Sequence, residues 1–260
     1  MESRPVVVDL FAGAGGMSLG FEAAGFDIAV AVDIDSVHCA THEYNFPYTE
    51  TICGDLSELP LSRLERALGN FGANSVDVLV GGPPCQGFSQ IGKRQLDDSR
   101  NELVFECCRA IDVLKPKYFV FENVPGLARG DHKKFLKELR LKFESMDYHV
   151  EWPVRILNSK DHEVAHSRKR IFIVGSREDL PRAEYPEATA GAGFIGNGSE
   201  SRVVGVESAI GDLEEIEVHR RGDGEVEPEK PDYSGYRKHF DVRKAGYFDL
   251  CHNRGSMSSP

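Results

Sequence analysis

Short uninterrupted apolar runs alternate along the chain with longer stretches in which apolar residues recur every three or four positions. "VVVDLF" (6–11), "IAVAVDI" (28–34), "VDVLVGG" (76–82), "YFVFENV" (118–124) and "RIFIVGS" (170–176) have the length and β-branched content of buried strands. Helical spacing predicts helices at about 17–24, 36–44, 61–69, 102–114 and 132–146, with stops at Gly25, at Gly69 and at Lys115-Pro116. Strands that are apolar on both faces and separated by helices belong to a sheet covered on both sides. The predicted fold class is therefore α/β, a doubly wound, mostly parallel, Rossmann-like sheet. Ligands of such sheets sit at the carboxyl ends of the strands, where the strand order reverses.

Beyond about residue 180 this pattern loosens. "EATAGAGFIGNGSES" reads as a flexible loop, and "GDGEVEPEKPDYSGYRKHFDVRKAG" is charged and punctuated by Gly and Pro. The boundary falls near residue 185, dividing a core domain (1–185) from a loop-rich segment (186–260). No internal repeat is visible.

Composition narrows the picture. With 40% apolar residues over 260 positions the chain can bury a core. No apolar run approaches the roughly 20 residues of a membrane helix, and the N-terminus lacks a signal-peptide block, so no membrane partner and an intracellular location are expected. The six cysteines show no paired C-x-x-C spacing, which predicts small core residues and neither a metal site nor a disulfide framework. A net charge of -11 argues against a surface that attracts nucleic acid everywhere; such a partner would need a local basic face.

Two stretches carry candidate chemistry. "DLFAGAGGMSLGF" puts Gly13, Gly15 and Gly16 between the first strand and the first helix, where the backbone can turn tightly and approach a ligand. Asp33 ends the next strand about 20 residues later, where a carboxylate can accept from both hydroxyls of a ribose. The pairing suggests an adenosine cofactor, although Ser18 stands at the third position of the dinucleotide pattern G-x-G-x-x-G, and a purely structural turn is the alternative. Asp55 either contacts an adenine amino group or caps a helix ahead of Leu56.

The second stretch is "VGGPPCQGFSQ". A thiol must ionise to act as a nucleophile, and Pro83 and Pro84 stiffen a loop in which Gly81, Gly82 and Gly87 admit a ligand and Lys93, Arg94 and Arg100 supply positive potential to Cys85. An inert buried cysteine is the alternative. Glu122 closes an apolar strand at the same rim, either as a partly desolvated acid or as a strand-end cap. Arg168 and Arg170 precede the last strand, as solvated surface or as a hold for that acid or a phosphate.

Taken in order, "DLFAGAGGMSLGF", "GGPPCQGFS", "FENV" and "SRKRIFIVG" closely resemble the motifs of the DNA cytosine-5 methyltransferases, over about residues 6 to 176. The resemblance implies the class I methyltransferase sheet. It also implies S-adenosylmethionine held by Phe11, Ala12, Gly13, Gly15, Asp33, Ile34, Asp55 and Pro84. Cys85 matches the family nucleophile, Glu122 the carboxylate on cytosine ring nitrogen 3, and Arg168 and Arg170 the pair that supports the site. Gln86, Ser89 and Lys93 fall on the loop that closes over flipped-out double-stranded DNA, and Lys93, Arg94, Arg168 and Arg170 supply the local basic face. Residues 1–185 would be the catalytic domain and 186–260 the start of the target-recognition region. "HEVAHSRKR" departs from the family in having Glu163 and His166 where Gly and Gln are frequent. The family's last motif, which returns to the cofactor pocket, is not found, so a truncated or split enzyme with a second chain supplying that segment is expected. The expected setting is a prokaryotic cytoplasm, associated with the nucleoid and with restriction-modification.

Overall fold

The structure, a computed structural model, describes residues 4–84, 102–130, 132–189 and 204–210, excluding the side chains of Glu102 and Ile210. The chain divides into two compact units, Met1–Leu157 with Lys169–Pro186, and Asn158–Arg168 with Glu187–Pro260.

The first unit is built on β1 (Val6–Leu10), α1 (Gly16–Ala23), β2 (Asp27–Asp33), α2 (Ser36–Asn45), β3 (Glu50–Cys53), α3 (Leu61–Phe71), β4 (Val78–Gly81), α4 (Glu102–Leu114), β5 (Tyr118–Asn123), α5 (His132–Glu144), β6 (Tyr148–Val150), β7 (Arg155–Asn158) and β8 (Lys169–Arg177). The strand order is β3-β2-β1-β4-β5-β8-β6, with β7 paired to β8. Strands β1 to β5 run parallel, while β8 lies antiparallel between β5 and β6. The sheet is doubly wound and mostly parallel, as the apolar runs predict, with a mixed edge. The reversal of order falls between β1 and β4, so the rim beyond Leu10 and Gly81 is where a cleft can open.

Alternation along β1 and β4 splits the core into two layers. Val8, Leu10 and Leu79 face the layer that holds α3, α4 and α5, and Val7, Val78 and Val80 face a smaller one with Ile28 and Phe46, against which Met17 and Phe21 of α1 pack. Helix ends follow local chemistry. Asp35 caps α2 by accepting from the Val37 and His38 amides. Helix α3 runs through Gly69 to a left-handed Gly72, where the Ala73 amide returns to the Leu68 carbonyl. The predicted stop at Gly69 is thus one turn early, because only Gly72 takes the left-handed conformation that closes the helix.

At the antiparallel edge an aromatic cluster of Phe119, Phe121, Phe143 and Tyr148 fills the space under α5, with ring centroids 4.3 to 5.8 Å apart. Tyr148 is anchored by its hydroxyl, which donates to the Pro116 carbonyl at 2.6 Å. Gly175 of β8 lies opposite Phe119, and a methyl group there would overlap the fully buried Phe119 ring. The ring is hemmed in by its aromatic neighbours and has nowhere to swing. Gly175→Ala is accordingly expected to lower stability by about 1–3 kcal/mol, read from the urea midpoint, without changing the unfolding slope.

Candidate functional site

The turn after β1 is held in a conformation that glycine permits. Phe11, Gly13 and Gly15 have φ of 61°, 56° and 99°, all in the left-handed region. The Ala12 amide donates to the Val32 carbonyl at 3.0 Å, and the Gly13 amide to Asp33 Oδ2 at 2.8 Å. Asp33 Oδ1 accepts from the Asp35 amide at 2.9 Å and lies 3.5 Å from His38 Nδ1. One carboxylate therefore fixes the ends of β1 and β2 together and keeps lone pairs on each oxygen for a further donor. Ala12 is buried, Phe11 packs against the core, and Ile34 stands 67% exposed beside Asp33. Among the described residues, nothing lies within 4 Å of a Cβ built on Gly13 or Gly16, so that side of the turn is open to them.

Asp55 follows β3 and accepts from the Ser57 amide at 2.9 Å and the Ser57 hydroxyl at 2.7 Å, both through Oδ1. These bonds hold its carboxyl below the usual range. It caps the tight turn at residues 56–59, not a helix, which leaves Oδ2 for another contact.

The ends of β4 and β5 meet at the second part of the rim. Asn123 Nδ2 donates to the Pro83 carbonyl at 3.2 Å, tying the chain that leads into Pro84 to the end of β5. A Cβ on Gly82 would lie 3.5 Å from Glu122 Oε2. Glu122 Oε1 accepts from Arg170 Nε at 2.5 Å, a pair in which both side chains stay about a quarter exposed. Glu122 faces Phe172 across the β5–β8 ladder, so Arg170 reaches it on the diagonal from two residues back. One oxygen of Glu122 is thus engaged by a cation while the other faces the start of the glycine-proline loop.

Pro84 is exposed at the end of the described segment, and Cys85, Gln86, Ser89 and Lys93 lie outside the described residues. Arg168 does not belong to β8, which begins at Lys169. It is in the second unit, where its backbone pairs with Ser159. In that unit Glu163 takes a φ of 61°, and the Ser159 hydroxyl donates to the His166 carbonyl. Among the described residues, no three His, Cys, Asp or Glu side chains gather as metal ligands, and no helix is long and apolar enough to cross a membrane.

The sequence reading passed over a buried polar chain beneath the glycine turn. Asp9, Ser18 and His42 are all fully buried. Ser18 Oγ donates to Asp9 Oδ2 at 2.6 Å and lies 3.0 Å from His42 Nε2, while His42 Nδ1 lies 3.3 Å from Thr51 Oγ1. Since the Ser18 proton goes to Asp9, the consistent assignment has His42 Nε2–H donating to Ser18 and Thr51 donating to His42 Nδ1. Burial raises Asp9 from 3.8 to about 7 and lowers His42 from 6.5 to about 4. The one signal in the sequence was an acid in the middle of "VVVDLF", with no cue to which residues would meet it.

Comparison with known proteins agrees with the motifs. Residues 6–223 match the C-5 cytosine-specific DNA methylase family. The chain is 48% identical over 215 residues to the Type II methyltransferase M.XorII of Xanthomonas oryzae, covering 83% of this chain and 48% of that protein. It is 40% identical over 183 residues to M1.HphI of Haemophilus parahaemolyticus, covering 69% and 48%, and 38% identical over 193 residues to M.AquIA of Picosynechococcus, covering 71% and 77%. The chain spans about half the length of the first two relatives. A crystal structure of a prophage-encoded DNA modification methyltransferase from E. coli superposes with a TM-score of 0.65 at 31% identity, over 80% of this chain and 54% of that one. The sheet described above is the Rossmann-like sheet of such methyltransferases.

Two outcomes are expected at the glycine turn. Gly13→Ala should cost about 1–2 kcal/mol, the strain of a left-handed alanine in open space. Gly15→Ala should cost distinctly more by the same denaturant measurement, since its methyl group would also strike Phe46 and His42. The buried pair also sets a pH dependence. Asp9, raised on folding, stabilises below its unfolded value and loses that stability as pH rises from 3.8 through about 7. His42, lowered on folding, stabilises above 6.5 and loses that as pH falls through about 4. The two oppose each other across that window. Asp9→Asn removes only the acid, so its stability relative to the wild type should rise with pH from 4 to 8, by up to roughly 4 kcal/mol. Urea midpoints measured at several pH values check this.

Proposed function

The chain belongs to the C-5 cytosine-specific DNA methylases, and we propose that it transfers a methyl group from S-adenosylmethionine to carbon 5 of cytosine in double-stranded DNA. The observation that carries this reading is the shared rim. Glu122 at the end of β5, its partner Arg170 at the start of β8 and the Asn123-anchored start of the "PPCQ" loop after β4 stand on the same rim as the glycine turn of β1, with β4 one strand from β1 and β5 two.

The residues present fit S-adenosylmethionine. Asp33 offers carboxylate oxygens where ribose hydroxyls would meet them, Ile34 offers exposed apolar surface to a flat ring, and the turn is open at Gly13 and Gly16. Phe11, Ala12, Gly15 and Pro84 line the same rim, and Asp55 retains one oxygen for an exocyclic amine. When bound, this cofactor supplies a methyl group on a positively charged sulfur, electrophilic enough to be taken by carbon.

Carbon 5 of cytosine is too weak a nucleophile to accept that methyl group unaided. In the proposed mechanism Cys85, as thiolate, adds to carbon 6 and pushes electron density onto carbon 5. Glu122 Oε2 shares a proton with ring nitrogen 3, which stabilises the dearomatised ring, while Arg170 on Oε1 keeps the carboxyl oriented. After the methyl group is taken, a base removes the carbon 5 proton and the Cys85 thiolate leaves, restoring the aromatic ring. Because stacking hides the ring faces in duplex DNA, the target nucleotide must first be extruded, at a cost of a few kcal/mol. Gln86, Ser89 and Lys93 would line the strand that presents it, and Arg168 would add positive charge. Residues 1–185 then form the catalytic domain and 186–260 the beginning of a recognition region. A second reading is a cofactor-binding portion that needs a further segment, on this or another chain, for turnover. It is favoured by the length relation to the first relatives.

Labelled methyl groups should appear on cytosine of duplex DNA in preference to tRNA. Cys85→Ser should abolish transfer while leaving S-adenosylmethionine binding by calorimetry intact, and Glu122→Gln should slow transfer by about 10²-fold or more. Methyl incorporation that survives Cys85→Ser would overturn the mechanism. Cofactor binding without transfer by the wild-type chain would select the second reading.

A further inference from the structure

Asp9 lies two residues after Val7, on the sheet face that also carries Ile28, Val78 and Val80 and is covered by Phe46 at the end of α2, all apolar. Its carboxyl receives a hydrogen bond from the Ser18 hydroxyl, and its other oxygen, Oδ1, is buried with no hydrogen-bond partner among the described residues. An aliphatic side chain would fill this place without the desolvation of an acid. The polar chain instead runs from Asp9 through Ser18 to His42 and ends at Thr51 of β3.

That chain touches the glycine turn at two points. Ser18 lies in the first turn of α1, which starts from the left-handed Gly15. His42 stacks on Phe46 with centroids 4.6 Å apart, and these two rings are what a side chain on Gly15 would strike, so the turn rests directly on them. From above, the turn is tied by the Gly13 amide to Asp33; from below, this polar chain and its rings support it.

We propose that Asp9, acting through Ser18 and His42, is a positioning residue that holds the Gly13–Gly16 turn in its cofactor-binding conformation, and that the hold tightens when Asp9 ionises. An ionised acceptor draws the Ser18 hydroxyl more strongly than a neutral acid does. The titratable groups that face Asp9 are His42 from α2 and Asp33 from the end of β2. Helix α1 contributes the Ser18 hydroxyl, β3 contributes Thr51 by way of His42, and β4 brings only Val78 to Gly81. His42, held neutral down to about pH 4, is silent in the range where Asp9 titrates near 7.

The proposal rests on S-adenosylmethionine being the ligand of this turn, so the experiment separates the two. Calorimetry of the 260-residue chain with S-adenosylmethionine should show affinity rising about tenfold between pH 6 and 8. Asp9→Asn keeps an oxygen for the Ser18 proton but cannot ionise. Its profile should retain only the titration of the ligand's own amino group, and the proton released by the wild type on binding should fall by the Asp9 share. Ser18→Ala should weaken binding about tenfold at both pH values. In the ligand-free protein, amide exchange over Gly15 to Leu19, corrected for its intrinsic pH dependence, should slow between pH 6 and 8 in the wild type and not in Asp9→Asn. Identical profiles for wild type and Asp9→Asn, or unchanged binding and exchange in Ser18→Ala, would overturn the proposal. No binding of S-adenosylmethionine at any pH would overturn the cofactor reading, and the exchange arm would still decide the role of Asp9. Should Asp9→Asn fail to fold, the wild-type exchange profile and Ser18→Ala carry the test.

Discussion

Everything at the rim depends on β1 lying between β2 and β4 with all three parallel. Parallel strands bring their carboxyl ends to one edge, and helices that leave β1 and β4 toward opposite layers must part there. The parting separates the glycine turn from the proline loop by one strand spacing of about 4.8 Å. In the proposed reading, a nucleoside cofactor on one side and a reacting base on the other then share a cleft. The Asp33 bridge to Gly13 and the Asn123 bridge to Pro83 are the two side-chain bonds that keep the mouths of these loops in register with the sheet.

How far the sequence foretold this is clearest strand by strand. β1, β2 and β4 are largely buried on both faces and read as apolar runs, while β5 alternates half-buried and buried positions but reads the same way because Tyr118 to Phe121 are all apolar or aromatic. β6 and β7 are three and four residues long, and "YHVEWPVRILNSK" offers no run that would distinguish strand from loop. The position of β8 between β5 and β6 was equally hidden, since an antiparallel neighbour is chosen by packing and register and not by its own composition. Likewise the sequence offers two glycines near the end of α3, Gly69 and Gly72, and only backbone geometry says that Gly72 closes it.

The site divides in the same way. Asp33, Glu122 and the glycine turn were legible because motif order and strand ends put them at one rim. The pairing of Glu122 with Arg170 was open in the sequence, because whether "SRKR" faces solvent or the acid depends on the β5–β8 register. The Asp9 chain was not legible at all. Its members are 9, 24 and 9 residues apart along the contacts that join them, a spacing set by the crossing of two helices over a sheet and not by any local period.

Three carboxylates close to one strand edge thus acquire different roles from their surroundings alone. Glu122 has a cation on one oxygen and turns the other toward Gly82 at the start of the proline loop, with its side chain a quarter exposed, so it is within reach of a ligand. Asp33 is bound by backbone amides and remains an acceptor at the surface of the turn. Asp9 is enclosed, and among the described residues it has no cation and leaves Oδ1 without a hydrogen-bond partner, so burial pushes its carboxyl up to about 7. A group so enclosed cannot touch cofactor or substrate, and whatever it contributes must pass through the hydroxyl and the imidazole that lie between it and the glycine turn. The same enclosure ties its charge to one residue: the Ser18 hydroxyl donates to its carboxyl at 2.6 Å, and the Ser18 backbone amide also favours the ionised form.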